Sequence, residues 1–151
     1  ARVFAVTKGS ENAERLRALG AQGVYDRAEE DWSKAVFRDT GRRGVDVVVE
    51  NVGEATWAGS VRALARGGRL VTYGATAGPK VELDVRVVFW KQIQVIGTTM
   101  ASRGEFEDLL RVVFAGRLRP VIDTVMPLDD AREAHERLEA GGQFGKIVLV
   151  P

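Results

Sequence analysis

Cysteine is absent from the 151 residues of this sequence, and histidine occurs once, as His135. Without cysteine the chain can form no disulfide bond and offers no thiol nucleophile or thiolate zinc ligand. One histidine cannot build a zinc site. A magnesium or calcium site made of carboxylates alone remains possible, but no D-x-D-x-D-G loop occurs, so we expect no metal site in this chain. We expect His135 itself to be a half-buried packing residue. The lack of cysteine also fits a reducing cytoplasm, which is the location we predict.

The sequence also lacks a long apolar run and an excess of charge of one sign. No stretch of about 18 apolar residues occurs, so we expect no membrane span. The 22 basic and 21 acidic residues give a net charge of +1, too little to favour nucleic acid or an anionic membrane as a partner. Hydrophobic residues make up 45% and charged residues 28%, which is typical of a globular domain with a buried core.

Glycine is frequent, with 17 residues that separate short apolar segments. These segments are typical of strands, and they cover residues 2–7, 23–25, 45–50, 69–74, 93–97, 121–126 and 146–150. The runs at 2–7 and 45–50 suit strands buried in a parallel sheet. Between them lie amphipathic stretches with helix-capping residues at Ser10, Asp31, Asp84, Ser102 and Asp130. One further helix is predicted from a single apolar stripe formed by Trp57, Val61, Leu64 and Ala65. The alternation predicts an α/β fold with a doubly wound, mostly parallel sheet.

Ligands of such a sheet bind beyond the carboxyl ends of its strands. The predicted ends at 7–10, 51–53, 74–76 and 97–99 are rich in glycine and small polar residues, which lets a ligand approach the backbone closely. However, the Gly-x-Gly-x-x-Gly fingerprint of dinucleotide-binding sheets is missing. Either the chain binds no dinucleotide, as in a methyltransferase-like domain, or the fingerprint lies upstream of residue 1.

Five segments, in order along the chain, carry a family resemblance: 1–10 with 16–21, 44–53, 64–75, 91–98 and 145–149. They resemble the cofactor domain of the medium-chain dehydrogenase/reductase family, which includes zinc-type alcohol dehydrogenases and quinone oxidoreductases. The resemblance implies a Rossmann-type sheet whose first strand and fingerprint precede residue 1. Residues 1–151 would then be a partial dinucleotide-binding domain. The catalytic domain, and any zinc that it holds, would also lie upstream.

The resemblance further implies a set of cofactor-binding residues. Thr7 stands where relatives that prefer NAD have an acid, and Lys8, Ser10 and Arg15 could hold a 2′-phosphate, so we predict NADPH over NADH. The alternative is that Lys8 and Arg15 are ordinary solvated charges. The remaining implied contacts are Asn51, Val52, Gly53, Gly74, Ala75, Gly97, Thr98, Thr99, Gly145 and Lys146.

The function that this resemblance implies is hydride transfer between NADPH and a small carbonyl, alcohol or quinone substrate. The sequence identifies no catalytic residue in this chain, so the chain alone should be inactive. Glu50 could face the site, although a structural ion pair is the commoner role for such a carboxylate. The resemblance also implies a homodimer or tetramer that pairs through the edge strand at 93–100. A non-catalytic nucleotide-binding module with the same fold is the alternative function.

Overall fold

The computed structural model of the protein describes residues 1–9 and 11–151, so the predicted helix cap and phosphate ligand Ser10 lies outside the described residues. The chain divides into two compact units, residues 1–100 and residues 101–151. In each unit strands alternate with helices, and the paired strands run parallel. The predicted α/β class with parallel sheets is therefore confirmed.

The first part of the first unit is a small parallel sheet with its helices. Its elements are β1 (Phe4–Thr7), α1 (Glu11–Ala18), β2 (Gly23–Asp26) and α2 (Trp32–Asp39). β1 pairs with β2 so that Thr7 lies opposite Asp26. As predicted, Asp31 begins α2 by accepting a hydrogen bond from the Lys34 amide. The core of this part contains Tyr25, Ala35 and Val36, together with Ala63 from later in the chain.

The second part of this unit is a separate parallel sheet with the strand order β3–β4–β5. Its elements are β3 (Val45–Glu50), α3 (Trp57–Ala63), β4 (Leu64–Thr72), α4 (Val85–Lys91) and β5 (Gln94–Gly97). Asp84 caps α4 as predicted. The core of this sheet contains Trp57, Val61, Leu64, Leu70 and Ile93. The carboxyl ends of the three strands share one edge, because parallel strands end on the same side of a sheet.

One helix end differs from the prediction. The apolar stripe placed Leu64 and Ala65 on the helix that starts near Trp57, but α3 ends at Ala63 and both residues belong to β4. Leu64 is extended, with ψ 138°, and pairs with Val45. The Lys91 ammonium also donates to the Leu64 carbonyl at 2.9 Å. Sheet pairing and this hydrogen bond therefore take the place of the last predicted turn of helix.

The prediction that the runs at 2–7 and 45–50 form buried strands is wrong, since Val6 of β1 is 38% exposed and one face of β3 is open. Val47 and Val49 of β3 are 45% and 67% exposed, and β5 is exposed along its whole length. Within residues 1–9 and 11–151, β3 has a strand partner on its β4 side alone, and no strand joins β1–β2 to β3–β4–β5. A face of a strand is buried only where another element packs against it. None of the described residues covers the face of β3 that carries Val47 and Val49.

The second unit, taken by itself, contains α5 (Arg103–Phe114), β6 (Ile122–Pro127), a 3₁₀ turn (Leu128–Asp130), α6 (Ala131–Ala140) and β7 (Lys146–Val150), and β6 pairs with β7. The predicted capping box at Ser102 and Glu105 is present. The box expected at Asp130 is not, because this residue ends the 3₁₀ turn and its side chain caps no amide of the described residues. His135 is exposed rather than half-buried, since it follows the buried position Ala134 on α6. No helix in the described part of the chain is long and apolar enough to cross a membrane.

Candidate functional site

The turns after β3 and β4 are joined by backbone hydrogen bonds. The Thr76 amide donates to the Asn51 carbonyl at 3.2 Å, and the Ala77 amide donates to the Val52 carbonyl at 2.7 Å. We call residues 51–54 and 74–78 the linked turns. They bring together a group of sequence-predicted site residues, namely Asn51, Val52, Gly53, Gly74 and Ala75.

Glycine is required in the linked turns because their backbones touch. Gly53 has φ +84°, and a Cβ there would lie 2.3 Å from the Gly78 carbonyl oxygen. A Cβ on Gly74 would lie 3.1 Å from the Asn51 carbonyl oxygen. A side chain at Gly53 would collide with the backbone of the second turn, so the two segments have one defined separation.

The end of β5 lies at the same edge of the sheet. Gly97 is paired with Thr72, and the Thr98 amide donates to the Thr72 carbonyl at 2.9 Å. Among the described residues, no atom comes within 4 Å of the position that a Gly97 Cβ would take. Thr98 and Thr99 are exposed. These three predicted residues therefore leave open space beside the sheet edge, as a ligand close to the backbone requires.

Glu50, the last residue of β3, is a buried carboxylate that is 3% exposed. Its Oε1 accepts the amides of Val52 at 2.7 Å and Gly53 at 3.2 Å. The Thr56 hydroxyl lies 2.9 Å from both carboxylate oxygens, and the Ser60 hydroxyl donates to Oε2 at 2.5 Å. Burial alone would raise the pKa of Glu50, but these hydrogen bonds outweigh burial and hold the pKa below its ordinary value.

The role of Glu50 is therefore not the one that its sequence position suggested. No salt bridge to it is found in the part of the chain that the structure describes, so it is not the ion-pair member that we weighed. Its carboxylate instead faces the backbone of the first linked turn. The fold determines which donors meet this carboxylate, and the sequence pattern around it did not reveal them.

A second carboxylate lies at the carboxyl end of the β1–β2 sheet. Asp26 accepts the Gly9 amide through Oδ2 and the Ala28 amide through Oδ1, each at 2.9 Å. The Arg27 amide donates to the Thr7 carbonyl at 3.0 Å. We call residues 7–9 and 26–28 the Asp26 loops. Lys8 and Arg27 are exposed there, and Gly9 has φ +94° with open space where a Cβ would stand among the described residues.

Asp26 and Arg27 were not predicted from the sequence, because each strand end was considered without its neighbours in the sheet. Both residues lie where β2 ends, beside the predicted Thr7 and Lys8. The signal that could have found them is charge at the end of β2, because β2 neighbours β1, whose end was already a candidate site. The predicted Arg15 lies on α1, with its guanidinium 4.0 Å from the Glu11 carboxylate.

The predicted residues Gly145 and Lys146 belong to the second unit. Gly145 has φ +112°, and a Cβ there would lie 2.5 Å from the Val121 carbonyl oxygen. The Lys146 amide donates to that same carbonyl, and Asp123 accepts the Phe144 amide at 2.9 Å. These contacts define the turn that leads into β7.

The described residues suit a dinucleotide but not a zinc ion. Across residues 1–9 and 11–151, no three His, Asp or Glu side chains are arranged to hold a metal. By contrast, Gly9 and Gly97 leave space for a ligand at two strand ends, and the linked turns offer a surface built of backbone groups. Parallel strands with glycine-rich carboxyl ends define a Rossmann-like α/β domain.

The family model described as "Zinc-binding dehydrogenase" matches residues 19–149, and the chain belongs to that family. The predicted medium-chain dehydrogenase/reductase resemblance is thereby confirmed. The match also decides against an unrelated doubly wound domain such as a methyltransferase-like fold.

Relatives in this family include oxidoreductases with different cofactors. A quinone oxidoreductase of Lama guanicoe is 31% identical over 95% of this chain, which spans 46% of that protein. A crystal structure of an NAD-dependent alcohol dehydrogenase is 39% identical with a TM-score of 0.91, covering 100% of this chain and 44% of its own. The 2-octenoyl-CoA carboxylase reductase CinF, in complex with NADP and 2-octenoyl-CoA, is 28% identical with a TM-score of 0.88, covering 97% of this chain and 37% of its own. The chain thus spans less than half the length of these relatives.

Proposed function

We propose that the protein containing this chain is an NADPH-dependent oxidoreductase acting on a small carbonyl, alcohol or quinone substrate. The observation that carries the proposal is the pair of linked turns at the carboxyl edge of a parallel sheet, in a chain of the zinc-binding dehydrogenase family. The names of the relatives support the reaction class, because they include quinone oxidoreductases and alcohol dehydrogenases.

Residues of this chain would bind and orient the cofactor. When bound, the nicotinamide ring would donate a hydride to a carbonyl or quinone, or in its oxidised form accept one from an alcohol. The linked turns and Gly97–Thr99 would hold it through backbone groups, and Gly145 and Lys146 would add a later contact. We assign no catalytic residue here, and the zinc of the family name has no ligand set among the described residues. The isolated chain should therefore be inactive.

The preference for NADPH rests on the charges of the Asp26 loops. Lys8 is exposed beside Thr7, where an acid would repel a 2′-phosphate, and both oxygens of Asp26 already accept backbone amides. Arg27 adds a cation that the sequence analysis did not include. Lys8, Ser10 and Arg15 remain the proposed phosphate ligands, with Lys8 the first to test.

The test is Lys8→Glu in the intact gene product. We expect the ratio of kcat/KM for NADPH to that for NADH to fall at least about tenfold, because a carboxylate beside the 2′-phosphate replaces an attraction with a repulsion. Lys34→Glu, the same charge change on α2, is the matched control and should leave the ratio unchanged. An unchanged ratio in Lys8→Glu, or an equal fall in both variants, would show Lys8 to be an ordinary surface charge. Binding of NADPH without turnover of quinones, enals or alcohols would favour a non-catalytic module.

We also propose that residues 1–151 are part of a longer protein whose further strand lies between β1 and β3. The exposed valines of β3 and its unpaired edge support this, as does the greater length of the relatives. Native mass spectrometry of the intact gene product tests it. A subunit mass near twice 16.5 kDa or more is expected, and a subunit of 16.5 kDa would refute it.

The same spectrum tests the proposed assembly. The exposure of β5 along its length, together with exposed Trp90 and Met100, supports a homodimer or tetramer that pairs through residues 93–100. A monomer at micromolar concentration would rule this interface out. A cytoplasmic location remains a prediction from the absence of cysteine.

A further inference from the structure

We propose that Glu50 is the positioning residue of the cofactor site: it orients the first linked turn so that this turn can hold the second. The inference rests on the proposed function for its consequence in cofactor binding. Its structural basis is independent of that function, because it depends only on hydrogen bonds within the chain.

Two successive peptide groups of the first turn have the same orientation. In the Asn51–Val52 peptide, the N–H points to Glu50 Oε1 and the carbonyl accepts the Thr76 amide. In the Val52–Gly53 peptide, the N–H again points to Glu50 Oε1 and the carbonyl accepts the Ala77 amide. Because the N–H and C=O of a trans peptide point in opposite directions, fixing one fixes the other. The carboxylate on one side therefore determines where the acceptors for the second turn lie.

Glu50 also holds the residue just before the second turn, through its own backbone. The Tyr73 amide, which follows β4, donates to the Glu50 carbonyl at 3.2 Å. On the far side of the carboxylate, Thr56 and Ser60 supply hydroxyl donors from the start and middle of α3. The Glu50 side chain thus ties β3 and the first linked turn to α3, and its backbone carbonyl fixes the chain just before the second linked turn.

A charged group at this position needs an explanation, because burying a carboxylate without a cation is costly. An apolar residue would pack against α3 without that cost, but it would leave the amides of Val52 and Gly53 without an acceptor. Those amides would then be free to turn, and their carbonyls with them. The carboxylate is thus suited to hold peptide orientation at the edge where the cofactor would lie.

The experiment compares Glu50→Ala with Glu50→Gln in the intact gene product. Glu50→Ala should raise the KM and Kd for NADPH at least about tenfold, since it removes charged hydrogen bonds to both amides. The kcat at saturating cofactor should stay within about threefold. Glu50→Gln should restore the affinity to within about threefold of the wild type. Its Oε1 still accepts both amides, and the Ser60 hydroxyl can rotate to accept from the new amide group.

Hydrogen exchange supplies a readout that needs no cofactor. The amides of Thr76 and Ala77 should exchange faster in Glu50→Ala, although the substitution lies in the other turn. Thr40→Val is the matched control for stability, because it removes a hydroxyl that accepts the Gly44 amide and donates to the Val36 carbonyl. This control should lower the melting temperature without changing the KM for NADPH or the exchange of Thr76 and Ala77.

Several outcomes would overturn the inference. One is a Glu50→Ala variant that melts earlier but keeps the wild-type KM and exchange rates, and another is a Glu50→Gln variant as impaired as Glu50→Ala. If Glu50→Ala does not fold, Glu50→Asp decides, because its shorter side chain cannot reach both Val52 and Ser60. A wild-type KM for that variant would refute the inference. A wild-type protein that binds neither NADPH nor NADH would refute the proposed function instead, and hydrogen exchange would still decide the role of Glu50.

Discussion

The linked turns and the Asp26 loops both use a carboxylate to bind backbone amides near a strand end, but they differ in burial and charge. In each, a carboxylate at a strand end accepts a backbone amide of the following loop, and Asp26 also accepts the Gly9 amide of the loop after β1. Glu50 is buried, and its donors come from the first linked turn and α3. Asp26 is half-buried, and the exposed cations Lys8 and Arg27 lie in the same loops.

Under the proposed function, the difference gives the two regions separate roles in cofactor binding. The linked turns hold their geometry through backbone contacts that no surface substitution can adjust, which suits the part of the dinucleotide that NAD and NADP share. The Asp26 loops present charged side chains, which suit discrimination at the 2′-position. Structures whose titles mention NAD and NADP are both similar to this chain over nearly its whole length.

The largest expected effect is a difference in stability when one methyl group is added to a glycine in each region. Gly53→Ala should lower the free energy of unfolding by about 2–5 kcal/mol, because a positive φ and a collision with the Gly78 carbonyl oxygen add up. Gly9→Ala has a similar φ but open space around its Cβ among the described residues, so its cost should be about 1–2 kcal/mol. Urea unfolding of both variants in the intact gene product measures this. Equal losses would mean that contact between the linked turns adds nothing to the strain of a positive φ.

A smaller expected effect is that the stability of the two regions depends on pH in opposite directions. The Tyr25 hydroxyl in β2 donates to Asp39 at 2.9 Å, and burial together with this acceptor raises the pKa of Tyr25 to about 12. A folded-state pKa above the ordinary value of 10.0 means that this contribution is present below pH 10 and is lost as the pH rises towards 12. The pKa of Glu50 is instead lowered, so its contribution is present above pH 4.5 and is lost as the pH falls through the folded-state pKa.

The free energy of unfolding of Tyr25→Phe should therefore be about 1 kcal/mol lower than that of the wild type near pH 7. Between pH 10 and 12, the free energy of unfolding should fall less in Tyr25→Phe than in the wild type. Unfolding curves at several alkaline pH values measure the difference, and Tyr73→Phe, at an exposed tyrosine beyond β4, is the control. If the alkaline loss were unchanged in Tyr25→Phe, the β1–β2 region would not be the alkali-sensitive one.

The sequence predicted those features that depend on neighbours along the chain. The Ser102 capping box, the Asp31 cap and the glycine-rich strand ends are local patterns, and the structure contains them. The end of α3 was wrong because Leu64 fits an apolar stripe on a helix as well as a buried strand, and pairing with Val45 decided between the two.

Features that depend on distant partners could not be predicted in this way. Glu50 meets hydroxyls and amides that the pattern around it does not reveal, and Arg27 comes beside Thr7 only because β1 and β2 pair. The exposure of Val49 likewise depends on what covers the sheet, and sequence alternation is silent on that. The family resemblance supplied the set of candidate residues, and the structure supplied their grouping.

The bare backbone contact between Gly53 and Gly78 has a consequence for protein engineering. Since the linked turns touch through their backbones, neither can be replaced by a loop from a relative without disturbing the other. Residues 51–54 and 74–78 therefore have to be transplanted as one cassette, together with Glu50. Lys8 and Arg27, by contrast, can be exchanged one at a time, so under the proposed function the Asp26 loops are the starting point for changing cofactor preference.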